Sequence, residues 1–385
     1  MSTPLYQDSQ IPDVKPDNGH AGLWFERFFN GYNENWEIPK PDKNTNKDIK
    51  RDWINSVTGK DGKVGNSSQL KLFQQRQQNL VAAIQGESRC YTTDWHFVTG
   101  MGNPHPVENG FSWHPTLAVP YLAGSAVKGL VRAWVEMNDD GLSNDEKKAR
   151  LKHWFGTEDK EQVAEQAGDF IFFDAIPHRP PVLLCDIMTP HMGKWYEQGD
   201  DAQKNLNPAV IPADWHEPVP VPFLAVKNAQ FIFSIAARNS DNKPDDVKEL
   251  ANVFEALNNA LLWLGAGAKT AAGYGYMSID PDFVKEQAEA EQKQTEQKRL
   301  GSLSAEQKQI AGLRKNLQDK QHINAREQIG GLLYTDLKKL VDVAVHWSPS
   351  DQSDLQQLGV EILDFIDAKS NKKAKELLKR LDTNP

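Results

Sequence analysis

The chain has 385 residues, 39% of them hydrophobic and 9% aromatic with eleven Trp, enough for a large buried core and an appendage. Its formal net charge of -9 excludes a free-standing protein that coats nucleic acid by bulk charge, while leaving room for a local basic groove. Two isolated cysteines, Cys90 and Cys185, exclude a disulfide framework and a CxxC zinc site and fit a reducing cytoplasm.

Residues 1–20 are polar and proline-bearing and read as a disordered segment, with neither the basic nor the apolar region of a signal peptide. No apolar run approaches the roughly 18–20 residues that span a bilayer, so a soluble cytoplasmic protein with no membrane partner is expected. Ala21 to Trp36, with Leu23, Trp24, Phe28 and Phe29, predicts a short amphipathic helix. The stretch 37–68, rich in Lys, Asp, Asn and Gly, reads as a long polar loop or insertion. A helix follows from about Leu70 to Gln85. Tyr91, Thr93, Trp95, Phe97 and Val98 then give Ser88 to Thr99 strand character.

Val119 to Leu122 reads as extended chain, and Gly124 and Ser125 as a turn supplying a helix N-cap. The helix beyond it would bury Val127, Leu130, Val131 and Trp134 at helical spacing. The charged stretch 138–166 carries a second helix ending at WFGT. Strands are expected at Asp169 to Ala175, Val182 to Met188, Val219 to Ala225 and Gln230 to Ala236, with a polar irregular loop from Gly193 to Glu217. Asp245 to Leu264 predicts a long amphipathic helix. The glycine loop LGAGAKTAAGYG follows, then a last strand near Tyr274 to Ile279. From 284 to 385 the composition becomes that of a helical appendage, with a capping box at Ser304 and Gln307 and an apolar stripe of Leu355, Leu358, Ile362, Leu363 and Ile366.

The glycine loop invites two nucleotide-binding readings, and spacing removes both. GxxxxGK[ST] fails because Ala268 precedes Lys269 and Trp263 stands where the first Gly is needed; GxGxxG fails at Thr270. What remains is a loop that brings backbone close to a ligand through Gly265, Gly267, Gly273 and Gly275, with Lys269 as a charge and Thr270 and Tyr274 as hydroxyl donors. A glycine-padded packing corner explains the same residues. In GSAVKGLVRAW, Lys128 and Arg132 share a helix face whose N-terminus at Gly124 and Ser125 could receive a phosphate; taken alone, the pair reads more simply as ordinary solvated charges. His105, His114 and His191 follow no metal-ligand or nucleophile spacing and read as residues of ordered loops. Trp195 and Tyr196 could stack on a base, anchor a partner or sit in a core.

GMGNPHPVENGFSWHPTLAVPYLAGSAVKG, WFG followed by GDFIFFDA, CDIMTPHMGKWY, PADWHEPVPVPFLAV and the glycine loop occur in this order. Together they resemble the RAMP superfamily of CRISPR proteins, and more narrowly the family of the sixth subunit of Cmr, or type III-B, effector complexes. The resemblance spans roughly Ala21 to Asp282. It implies an α+β, ferredoxin-like (RRM-like) RAMP domain over 21–283, with 284–385 as an all-α extension. It implies a non-catalytic subunit that binds guide RNA at its 3′ portion, with no cofactor, metal or catalytic residue. The implied protein partners are the repeated backbone subunit, the small helical subunit and another RAMP subunit; target RNA stays open as a further one. The RNA-binding residues it implies are Gly124, Ser125, Lys128, Arg132, Gly265, Gly267, Lys269, Thr270, Gly273 and Gly275, to which the loop's own chemistry adds the Tyr274 hydroxyl. A RAMP endonuclease using a histidine to process guide precursors is the alternative.

Overall fold

The computed structural model of the chain describes residues 12, 14–41, 47–58, 61–138, 141–157, 166–198, 210–213, 215–238, 244–323 and 325–381. The strands are β1 (Glu87–Thr93), β2 (His96–Phe97), β3 (Gly156–Thr157), β4 (Gln166–Ala167), β5 (Phe170–Phe172), β6 (Ile176–Pro177), β7 (Val182–Met188), β8 (Val221–Lys227), β9 (Gln230–Ala237) and β10 (Met277–Ile279). The helices of the same unit are α1 (Ala21–Arg27), α2 (Ile49–Thr58), α3 (Ser67–Ala83), α4 (Gly124–Met137), α5 (Asn144–Phe155) and α6 (Pro244–Trp263).

The main sheet runs β10-β1-β9-β5, every neighbour antiparallel, with β6 also on β9. Along the chain its elements read β1, α4, β5, β9, α6, β10. That is a βαββαβ succession in which the first and third strands lie together at the centre, the connectivity of a split βαβ unit. The central strand β9 is buried on both faces. Phe231, Phe233, Ile235 and Ala237 point into the larger core, while Ile232 packs with Cys90 and Phe283 on the opposite side. Val127, Val131 and Val135 of α4 and Val253, Phe254, Leu257 and Leu261 of α6 recur at helical spacing and fill that larger core.

A second antiparallel sheet, β2-β8-β7, is inserted between the halves of the first. The strand expected over Ser88 to Thr99 is therefore two strands in two sheets. The chain turns at Asp94 and Trp95, which frees Trp95 from the alternation its neighbours obey. The polar stretch 37–68, expected to be a long loop or an insertion, is not all loop, because it contains α2. Trp53, Ile54 and Val57 are buried there, α2 packs on β7 and β8, and Trp53 stacks on Trp24 at 5.6 Å. Three large apolar residues at helical spacing outweigh a window whose average is polar. Helix α1 ends at Arg27, short of Trp36, and buries Phe25 where Leu23 was expected; Leu23 faces solvent.

Ser125 is not the N-cap of α4. The cap is Ala123, without a side-chain bond, and Ser125 lies exposed in the first turn. Leu130 and Trp134 are half-buried, and Val135 completes the buried stripe in their place. Helix α5 starts at a capping box of Ser143 and Glu146 and stops at Gly156, whose φ of 84° ends the helix within WFGT. In the loop expected from Gly193 to Glu217, residues 193–198 are helical, while 199–209 and 214 lie outside the described residues. The disordered segment expected over 1–20 lies outside them at 1–11 and 13, and His20 caps α1 by accepting from Leu23 N–H.

The chain divides into two units, Met1–Val284 and Lys285–Pro385. Helix α7 (Pro281–Ser302) runs across that boundary, and α8 (Ala305–His322), α9 (Leu332–Ala344), α10 (Pro349–Phe365) and α11 (Lys372–Lys379) follow. The Ser304–Gln307 capping box is present at α8. Leu355, Leu358, Ile362, Leu363 and Ile366 are buried with Leu313, Leu337, Val341 and Leu377 in a core belonging to the second unit. Among the described residues no helix is long and apolar enough to cross a membrane.

Candidate functional site

The glycine loop is stitched to the second sheet by its own backbone. Ala268 N–H donates to the Val98 carbonyl at 2.8 Å, Gly275 N–H to that of His96 at 2.8 Å, and Ala266 N–H to that of Gly275 at 2.8 Å. Two glycines follow from this approach. A Cβ on Gly267 would lie 2.1 Å from the Val98 oxygen, and one on Gly275 only 1.9 Å from the Ala266 oxygen; both also have positive φ. These two are packing requirements. Gly265 is buried and tight against Thr270, whereas Gly273 is exposed with only Trp95 near its Cβ position.

Lys269 itself sits in the left-handed region, at φ 59° and ψ 29°, and begins the short 3-10 turn Thr270–Ala272. Its side chain is half-buried. The ammonium lies 5.3 Å from the Phe223 ring centroid and 6.0 Å from that of Tyr274, and 3.7 Å from Met188 Sδ. Tyr274 is buried and donates its hydroxyl to Asp186 Oδ2 at 2.6 Å, with His96 Nδ1 at 3.4 Å from the same oxygen. Burial works to raise the Asp186 carboxyl. The bonds from Tyr274, the Ile187 N–H and His96 outweigh it and hold the group below its ordinary value. Burial and then Asp186 push the Tyr274 phenol well above its usual range, so it remains a donor. Trp95, 47% exposed, stacks on His96 at 4.5 Å and leans on Tyr274 at 4.8 Å.

One patch therefore presents a partly exposed indole ring, a lysine held over aromatic rings and loop backbone at its rim. An aromatic platform beside a fixed cation is what a single strand of nucleic acid uses, base on ring and phosphate on charge. Lys269, Thr270 and Tyr274 were anticipated from sequence. Trp95, His96, Asp186, Met188 and Phe223 were not singled out as site residues, because the turn at Asp94 that brings β2 beside the loop leaves no periodic trace.

At α4, Gly124 is required by packing, since a Cβ there would lie 2.2 Å from the Phe172 carbonyl oxygen. Its N–H donates to Asp174 Oδ1 at 2.7 Å, so a carboxylate of the chain already uses the first N–H of the helix. Lys128 and Arg132 are half-buried, and Arg132 Nε meets Glu136 Oε1 at 2.7 Å. Burial, followed by Arg238 and Arg132, lowers the Lys128 pKa. Arg238, at the end of β9 and bonded through Nε to the Gly168 carbonyl at 3.0 Å, is thus a third member of a cationic cluster that sequence spacing could not assemble.

The histidines are dispersed. His105 is stacked on Phe25 at 3.9 Å with Nε2 2.8 Å from the Phe25 carbonyl oxygen. His114 is buried between Phe73 and Tyr121, and His191 is exposed. Tyr196 is exposed and Trp195 half-buried.

Residues 91–278 match the family model described as the RAMP superfamily, a span that runs from within β1 to within β10 and holds both candidate surfaces. The Cmr6 subunit of the CRISPR Cmr system of Pyrococcus furiosus is 30% identical over 254 residues, 51% of this chain and 68% of that protein. Among solved structures, the chain is similar to one in the type III-B Cmr-beta complex bound to cognate target RNA, with TM-score 0.45, 19% identity and coverage of 63% and 77% of the two chains. It is also similar to the crystal structure of Pyrococcus furiosus Cmr6, with TM-score 0.29, 23% identity and coverage of 51% and 98%. The class is that of the RAMP proteins, an α+β fold of helices packed on antiparallel sheet. Within it, this chain belongs to the Cmr6 family of CRISPR Cmr subunits.

Proposed function

We propose that this chain is a non-catalytic, RNA-binding architectural subunit of a type III-B CRISPR effector complex, holding the 3′ portion of the guide RNA. The observation that carries it is that the exposed Trp95 ring and Lys269 of the glycine loop lie against the same Tyr274 ring. The ring offers a base-stacking face and the ammonium a phosphate contact. The Lys128, Arg132 and Arg238 cluster supplies a second stretch of positive charge in a chain whose net charge is -9, which concentrates binding locally. The non-catalytic part is supported by His105 and His114, which are committed to carbonyl, amide and ring contacts within the core. Neighbouring Cmr subunits, among them the backbone, small helical and RAMP subunits, occupy other faces in this account.

Photocrosslinking of assembled complex to guide RNA, read by mass spectrometry, tests the proposal. Adducts are expected at Trp95 and within 264–276. A map with no adduct there or on 120–135 would leave a protein scaffold as the better description. Cleavage of guide precursor by the purified chain, lost on replacing His191, would overturn the non-catalytic assignment.

A further inference from the structure

His153 on α5, Asp169 on the lead-in to β5 and Asp246 in the first turn of α6 come from distant parts of the sequence and meet in the first unit. One side-chain N or O atom from each lies within 4.8 Å of the others. His153 Nε2 stands 2.9 Å from Asp246 Oδ1 and 3.7 Å from Asp169 Oδ2. Asp246 is 5% exposed, and the second oxygen of its carboxylate, Oδ2, is buried with no hydrogen-bond partner among the described residues.

That orphaned oxygen decides between two accounts of the cluster. An imidazolium bridging two carboxylates satisfies Asp246 Oδ1 and leaves Oδ2 desolvated and open, which is unfavourable for a buried charge. A divalent cation chelated by the Asp246 carboxylate would engage both of its oxygens. It also balances the two negative charges and takes neutral His153 through Nε2. The His153 side chain is 37% exposed, which gives a cation a path from solvent. One imidazole nitrogen with carboxylate oxygens suits a borderline first-row ion better than Ca2+ or Mg2+, which favour all-oxygen shells.

We propose that His153, Asp169 and Asp246 form a binding site for a divalent first-row transition cation of the Zn2+, Co2+ or Mn2+ kind. The site joins α5 to the start of β5 and to the N-terminus of α6, so its role is to fasten one flank of the split βαβ unit. Sequence spacing gives no hint of it, because the ligands lie far apart along the chain.

The test uses the untagged full-length chain, stripped with chelator and titrated with Co2+ while visible absorption and calorimetry are recorded. One Co2+ per chain is expected, displaced by Zn2+ and accompanied by a rise in Tm. Asp246→Asn keeps an acceptor for His153 but removes the charge, and it should weaken binding at least about tenfold and abolish the Tm rise. Asp169→Asn should act in the same direction, whereas Asp245→Asn, at a fully exposed neighbour, should leave binding unchanged. Failure of the folded wild-type chain to take up Co2+ at 1:1 would overturn the site. So would equal Co2+ affinity in the Asp246→Asn and Asp245→Asn variants.

Discussion

Tyr274 connects the glycine loop to the second sheet by a single hydrogen bond to Asp186, and the charge of Asp186 is part of what holds that bond. The folded-state pKa of Asp186 is depressed, so its contribution to stability is full above the ordinary carboxylate value of about 3.9 and is lost as pH falls through the lower folded value. His105 and His114 act in a second window. Burial lowers both pKa values, so the unfolded chain takes up protons that the folded chain refuses once pH drops below about 6.5. The expected melting profile therefore declines first from about pH 6.5 downward and again near pH 4. His105→Gln should flatten the first decline and Asp186→Asn the second, measured as Tm against pH. A wild-type Tm independent of pH between 7 and 5 would contradict the histidine assignment.

The glycine loop is an element with two kinds of glycine, and they should behave differently when replaced. Gly275→Ala forces a Cβ against the Ala266 carbonyl in addition to its positive φ, whereas Gly273→Ala meets only the φ penalty. A loss of about 1–2 kcal/mol is expected for Gly273→Ala and more for Gly275→Ala, read by denaturant unfolding. Equal losses would mean that the loop relaxes freely around residue 275. This distinction was not legible in the sequence, where all four glycines look alike. What was legible had a strong period or a local cap: α4 from its valines, α6 from its apolar stripe, the end of α5 from WFGT, and α8 from Ser304. Helix α2 escaped because its three buried residues lie in a polar window, and the turn at Asp94 because a two-residue break does not disturb an alternating pattern. Arg238 joins Lys128, and Asp246 joins His153, only through tertiary folding.

At the scale of the whole chain, the composition change near residue 284 coincides with the boundary between two units, each with a core of its own. The second unit buries Leu337, Val341, Leu355, Leu358 and Ile362 together without residues of the first core. A fragment of residues 303–385 should therefore fold alone, with a helical circular dichroism spectrum and one cooperative melt. Leu358→Ala should lower that melt by about 2–5 kcal/mol in stability; a fragment without a cooperative transition would contradict the division. The first unit carries the RAMP match and both candidate RNA surfaces. The most direct test of its proposed role is the salt dependence of guide-RNA affinity in complexes assembled with wild-type or Lys269→Ala chain. If Lys269 contacts one phosphate of a single strand, the slope of log affinity against log salt flattens by about 0.7 in the variant. An unchanged slope and affinity would remove the loop from the RNA interface.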